Sequence, residues 1–219
     1  MMSKKIKKKS TFIDMTAMSD VTVLLLTFFM LTSTFIQKEP VSVNPPQSVS
    51  EIKIPESNIV SILIEPNGKV FMSMDNPNDR RNALAELGRL YEIEFNEEEL
   101  KKFSLLPSFG VPIAGMKSFL ALSPEQQDKV IMEYGIPCDS TDNQFKMWMQ
   151  TARTVWTERI QKAYRENPDP SARKPDLAIA IKADANTPYP LIRDIMNTLQ
   201  DLREQRYNLI TSLRNAPPA

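Results

Sequence analysis

The sequence contains no histidine and a single cysteine, Cys138. Without histidine there is no Ser/His or Cys/His catalytic pair and no imidazole metal site. One cysteine cannot close a disulfide within the chain, so the folded part must be stable through its own core or through association. Only 5 glycines occur among 219 residues, and none forms a phosphate-binding loop. These shortages argue against an enzyme and predict neither a cofactor nor a metal site.

Clustered positive charge is equally scarce beyond the amino terminus. Lysine plus arginine and aspartate plus glutamate each total 27, so the formal net charge is zero. No basic patch of the kind that binds nucleic acid is evident, and nucleic acid is not an expected partner. The exception is a basic segment at the start of the chain, which contains Lys4, Lys5, Lys7, Lys8 and Lys9.

A long apolar run follows this basic segment. Residues 15–36 carry one formal charge, Asp20, and a helix of this length rises about 33 Å, enough to cross a bilayer core. By the positive-inside rule, residues 1–14 form a cytoplasmic tail and residues 37–219 lie on the other side of the membrane. A cleaved signal peptide is the alternative, but an acid precedes the apolar run and no small-x-small cleavage site follows it. We therefore predict an uncleaved single-pass anchor.

A carboxylate inside such a helix is costly, about 2.5–3.5 kcal/mol at its centre, and usually marks an ion or proton pathway. The seven-residue spacing of Asp20, Thr27 and Thr34 places these residues close to one helix face, and Thr16 joins them one turn earlier. This polar face is expected to turn away from lipid. The alternative is structural: a protonated Asp20 that only hydrogen-bonds a neighbouring helix, with threonines bonded to their own backbone.

Residues 37–58 are predicted to be an extended linker because four prolines prevent a continuous helix: Pro40, Pro45, Pro46 and Pro55. Within it, residues 41–45 alternate apolar and polar side chains. This short segment is compatible with an edge strand or with a solvated tether.

Residues 59–213 are predicted to be one α+β domain, followed by a tail at 214–219. Strands are expected at 59–64 and 69–73, joined by an Asn67-Gly68 turn, and again at 176–182 and 207–213. Helices are expected near 83–91, from a capping box at Ser123, over 144–166 with Trp148 and Trp156 in the core, and after Thr187-Pro188. Residues 103–115, broken by proline and glycine, are expected to be irregular and buried or partner-facing. The sheet is expected to be mostly antiparallel, with helices packed on one face.

Three segments resemble the ExbD/TolR family of biopolymer-transport proteins. The sequence Asp14-Met15-Thr16-Ala17-Met18-Ser19-Asp20-Val21 is similar to the family pattern N/D-x-T-P-x-x-D-V before an apolar helix, with Ala17 where proline is usual. Residues 181–184, 188–189 and 208–209 are similar to the carboxyl-terminal family segment. Val43, Asn44 and Pro45 are similar to a short partner-binding linker element found after the membrane, although its leucine is missing here.

The resemblance implies an inner-membrane protein whose carboxyl-terminal domain is periplasmic. It places Asp20 on the proton-carrying acid of the family motif. It also implies a homodimer inside a ring of a polytopic ExbB/TolQ-like subunit, which would drive a TonB- or TolA-like protein that spans the periplasm. Residues 75–143 have no counterpart in short family members, so a helical insertion is expected there. The alternative is a membrane-tethered periplasmic binding or cell-wall-anchoring module in which Asp20 is purely structural.

Overall fold

The computed structural model describes residues 15–33, 41, 43–48, 55, 57–139, 142–166, 176–204 and 206–213. Two compact units are present, Met1–Gln37 and Lys38–Ala219.

The described part of the first unit is one helix, α1 (Met15–Thr32). Its 18 residues rise about 27 Å, which lies within the range that crosses a bilayer. The helix ends at Thr32 in the described residues, and positions 34–36 of the predicted span 15–36 lie outside them. Every described residue of α1 is exposed within this chain. The helix therefore buries none of its described side chains within this chain.

The second unit is built on a four-stranded sheet of order β3-β2-β4-β5. The strands are β2 (Ile59–Ile64), β3 (Val70–Met74), β4 (Ala178–Ala183) and β5 (Tyr207–Leu209). The β2–β3 pair is antiparallel, whereas β2–β4 and β4–β5 are parallel. The prediction of a mostly antiparallel sheet is therefore wrong. The hairpin returns the chain to the end of the sheet at which β2 begins, and β4 starts at that same end, so β4 is parallel to β2. The helix between β4 and β5 carries the chain back across the sheet, which makes these two strands parallel.

The hairpin at the start of the domain follows its sequence signals. Gly68 has a positive φ of 84°, and its amide donates to the Glu65 carbonyl at 2.9 Å. A glycine tolerates this left-handed backbone without a steric penalty. The predicted turn and the first strand are confirmed, and the return strand begins one residue later than predicted.

In the described residues between β3 and β4 there are six helical segments. They are α2 (Pro77–Leu90), α3 (Glu97–Leu105), a 3₁₀ turn (Ile113–Gly115), α4 (Met116–Ala121), α5 (Pro124–Glu133) and α6 (Gln144–Glu166). Helix α5 begins at the predicted capping box, and α6 has the predicted bounds. Trp148 is fully buried and Trp156 is 8% exposed, so both tryptophans lie in the core as predicted.

Residues 75–143 pack onto the sheet through backbone and side-chain contacts. Phe109 forms an antiparallel bridge with Met72, with amide-to-carbonyl distances of 2.8 Å in both directions. Further along, the Ile136 amide donates to the Val70 carbonyl at 2.8 Å. Phe103, Phe109 and Trp148 form an aromatic cluster, with the Phe109 and Trp148 ring centroids 4.4 Å apart. Residues 103–115 are thus buried in part, as expected, but they are not irregular throughout, because they contain the end of α3 and the 3₁₀ turn.

After β4 the chain forms α7 (Tyr189–Asp201), β5 and β6 (Ser212–Leu213). The single strand predicted at 207–213 is divided in two. β6 leaves the main sheet and pairs in parallel with β1 (Gln47–Ser48), in the register Gln47↔Ser212. This pairing brings the linker that enters the domain beside the strand that ends it.

Candidate functional site: the Asp20 helix and the linker attachment

Asp20 lies one turn after the start of α1, between polar residues whose hydroxyl groups bond to the helix itself. Ser19 donates to the Met15 carbonyl at 2.8 Å, and Thr27 donates to the Leu24 carbonyl at 3.0 Å. Such bonds satisfy the hydroxyl locally and require no partner helix. The Asp20 carboxylate makes no hydrogen bond or ion pair in the part of the chain that the structure describes.

The helical spacing places Thr16 and Thr27 within about 40° of Asp20 around the axis of α1. Thr34, predicted on the same face, lies outside the described residues. The large apolar side chains of α1 are between 55% and 86% exposed in this chain. By length and composition, α1 is the one helix in the described residues that qualifies as a membrane span. An apolar surface of this extent suits lipid or partner helices.

The linker residues 43–48 are a built part of the second unit. Val43 is 5% exposed and joins the hydrophobic core. The Asn44 amide donates to Asp184 Oδ2 at 2.9 Å, and the Ala185 amide donates to the Asn44 carbonyl at 2.9 Å. We call residues 43–48, together with Asp184, Ala185 and Ser212, the linker clamp. The described residues of 41–45 form no strand, and the paired strand is Gln47–Ser48. Burial of Val43 also does not fit a solvated tether. Within 41–45, Ser42 lies outside the described residues.

Ser212 supplies the second half of the linker clamp. Its amide donates to the Pro46 carbonyl at 3.0 Å, and its hydroxyl donates to the Pro45 carbonyl at 3.2 Å. Pro45 and Pro46 have no amide hydrogen to offer in return, so their carbonyls are the groups that can be held.

Asp184 is held in place independently of the linker. Its Oδ1 accepts hydrogen bonds from the Asn186 amide at 2.9 Å and from Asn186 Nδ2 at 3.1 Å. The bonds from the Asn186 and Asn44 amides, in that order, lower the pKa of Asp184 below its ordinary value, and they outweigh the opposing effect of burial. Asp184 was part of the carboxyl-terminal resemblance, but its contact with Asn44 was not predicted. An Asp followed two residues later by Asn is typical of a side-chain-capped turn, and this is the local signal that was available.

A second polar network holds the beginning of β2. Arg159 Nε donates to both carboxylate oxygens of Asp79 at 2.9 Å, and Arg159 Nη2 donates to Asn58 Oδ1 at 2.8 Å. Trp156 Nε1 donates to the same Asn58 oxygen at 3.3 Å. Asn58 has a positive φ of 57°, and asparagine tolerates this conformation better than most residues. The pKa of Asp79 is raised by burial, which outweighs the opposing charge of Arg159. This network is structural: Asp79 and Trp156 are buried, Asn58 and Arg159 are half-buried, and together they fix a backbone turn.

Among the described ranges, no group of three or more His, Cys, Asp or Glu side chains could hold a metal ion. Burial raises the pKa of the Cys138 thiol to about 12, and the neighbouring Asp139 adds to the effect. A thiol with such a pKa remains protonated and is a poor nucleophile.

The described residues thus contain a candidate membrane span with one carboxylate and a small α+β domain that follows it in the chain. Residues 7–105, less than half of the chain, match the family model described as biopolymer transport protein ExbD/TolR, so this part of the chain is similar to that family. The match includes Asp20, linker residues 43–48 and the β2–β3 hairpin, and it extends through α3 into the predicted insertion. The resemblance noted at residues 176–213 lies outside it. Comparisons with curated proteins and with solved structures return no match. At family level, this match implies a part in the energy transduction of biopolymer transport.

Proposed function

We propose that the protein is a stator-type inner-membrane subunit that uses the proton-motive force to energise transport at the outer membrane. The observation that carries the proposal is Asp20, a carboxylate on a helix long and apolar enough to span a bilayer and inside the family match. An aspartate that moves between lipid-facing and hydrated surroundings changes its proton affinity, because burial disfavours the charged form. The membrane potential contributes about 2.3 kcal/mol for each charge per 100 mV.

The proposed arrangement is a homodimer of this chain inside a ring of polytopic ExbB/TolQ-like subunits. Protons pass through Asp20 as the ring and the dimer move, with Thr16, Thr27 and Thr34 on the same helix face. The second unit lies in the periplasm and conveys the movement to a TonB- or TolA-like protein. The basic residues before α1 support this orientation. A carboxyl-terminal reporter that is active only in the cytoplasm would contradict it.

The decisive test is Asp20→Asn, which removes the titratable group but keeps its size and hydrogen-bonding capacity. The variant should insert and assemble, because a neutral amide costs less in the membrane than an ionised acid. Proton-driven uptake or growth should be abolished. Thr22→Val is the matched control: it lies on the opposite side of α1 from Asp20, its hydroxyl bonds to the Met18 carbonyl of the same helix, and activity should persist.

Assembly is measured in parallel by co-purification in mild detergent. A polytopic partner that copurifies at a fixed ratio with both variants shows that a loss of uptake in Asp20→Asn is not a loss of assembly. Normal uptake in an assembled Asp20→Asn complex contradicts the proton-carrier role. It favours the tethered binding module with a structural Asp20. Extraction of the chain alone points to the same alternative.

A further inference from the structure

The covalent path from α1 into the folded domain passes through the linker clamp. Val43 is the first of the described residues on this path to be buried in the core. The next three residues, Asn44, Pro45 and Pro46, each form at least one hydrogen bond with Asp184, Ala185 or Ser212. A pull on the chain from its amino-terminal side therefore acts on residues 43–48 before it acts on β2.

The direction of β1 decides how the clamp resists such a pull. β1 is parallel to β6, and the bonds from Ser212 cross from one strand to the other. Tension on the amino end of β1 and the carboxyl end of β6 makes the two strands slide past each other. Hydrogen bonds that cross the sliding direction share the load and break together, whereas a hairpin pulled from its two ends opens one bond at a time.

Asp184 strengthens this arrangement because it is already positioned. Its Oδ1 is occupied by Asn186, so Oδ2 points to the Asn44 amide without depending on the linker. A preorganised charged acceptor forms a stronger hydrogen bond than a neutral one. The Ala185 amide, which bonds the Asn44 carbonyl at 2.9 Å, makes the contact two-sided.

We infer that the linker clamp is the force-bearing contact through which tension on the linker reaches the sheet, with Asp184 as its positioning residue. The inference rests on the proposed function only for the source of the force, the movement of α1. The mechanical property belongs to the folded chain and is measurable without a proton gradient, so its failure is distinct from failure of the Asp20 test.

The test is single-molecule pulling of the full-length chain in detergent micelles, with tags at the amino and carboxyl ends. Asn44→Pro removes the amide that bonds Asp184, and the residue already precedes Pro45, where extended backbone is favoured. We expect its release rate at constant force to rise about tenfold, the effect of losing one charge-assisted hydrogen bond. Asn44→Ala keeps the amide and carbonyl and should leave the rate unchanged.

Two further variants separate a mechanical role from a general loss of stability. Ser212→Ala removes the hydroxyl bond to Pro45 and should raise the release rate by less than Asn44→Pro does. Ile113→Val removes a buried methyl group far along the chain from the clamp; it should lower equilibrium stability in urea without changing the release rate. An unchanged rate in Asn44→Pro, or an equal rise in Ile113→Val, overturns the inference.

Discussion

The Asn44 amide and the Asp184 carboxylate are joined by a 2.9 Å hydrogen bond across 140 positions of sequence. The contact fixes the carboxyl end of β4 to the linker that leads from α1. It joins residues 43–45 to residues 181–184. These are two separate segments of the chain that each resemble the same family. The folded domain therefore already includes residues 43 and 44, well before β2 begins at Ile59.

Acid should weaken this contact. The pKa of Asp184 is lowered by the amides of Asn186 and Asn44, so its folded-state pKa lies below its unfolded value. The stabilisation is thus complete above the unfolded pKa and is lost as the pH falls through the folded pKa. We expect the Asn44 and Asn186 amide signals in NMR spectra to shift together over that acidic range.

Asp184→Asn is the control for this titration. The amide side chain can still accept through its oxygen but carries no titratable charge, so the coupled acidic shift should disappear. If both amide signals still shift over the same pH range in Asp184→Asn, the shift is caused by the titration of another group.

Arg159→Met should destabilise the second unit at neutral pH. It leaves the Asp79 side chain, 4% exposed, without its ion-pair partner, and breaking a buried pair from one side costs about 3–5 kcal/mol. Without Arg159 the folded-state pKa of Asp79 rises further, so the loss grows as the pH rises through that pKa and is small below the unfolded pKa. Urea unfolding at several pH values measures this difference.

The double variant Arg159→Met with Asp79→Asn provides the check. Removing the unpaired charge should recover part of the lost stability at neutral pH and flatten its pH dependence. Equal losses in the single and double variants would mean that packing of the Arg159 side chain, and not charge, explains the effect.

Gly110→Ala should destabilise the domain by about 1–3 kcal/mol, the usual cost of inserting a methyl group into a packed core. A Cβ at this position would overlap the ring of Phe71, which is fully buried. Gly115→Ala is the matched control, because its Cβ would meet only Val111 Cγ1 at an ordinary 3.5 Å. Thermal unfolding of the two variants compares them, and equal melting temperatures would contradict the prediction.

Local signals predicted the elements whose structure is decided locally. The Asn67-Gly68 turn, the capping box at Ser123 and the apolar spacing of α6 each act within a few residues, and all three are confirmed. Helix α3 was missed although it has its own signal: the Asn96 amide donates to Glu99 Oε2 at 2.7 Å in a second capping box. A search for this pattern would have found it.

Strand pairing could not be predicted in the same way. Whether β4 lies parallel to β2 depends on the path of about a hundred residues between β3 and β4, and no short pattern encodes that path. The pairing of β1 with β6 and the contact of Asn44 with Asp184 are equally remote in sequence. For the site, Asp20 was recognisable because a charge in an apolar run is a local anomaly, whereas the linker clamp emerges only when distant segments fold together.

Strand β3 is an outer strand of the four-stranded sheet, and its free edge is partly covered. Phe109 forms a bridge with Met72, and the Ile136 amide donates to the Val70 carbonyl. Unpaired strand edges are templates for pairing with further chains, and open-ended growth requires two of them on each molecule. In the described part of the domain, β5 is left as the outer strand of the opposite margin. Two copies that pair through β5 would each cover the other's open edge, so association through this strand ends at two copies.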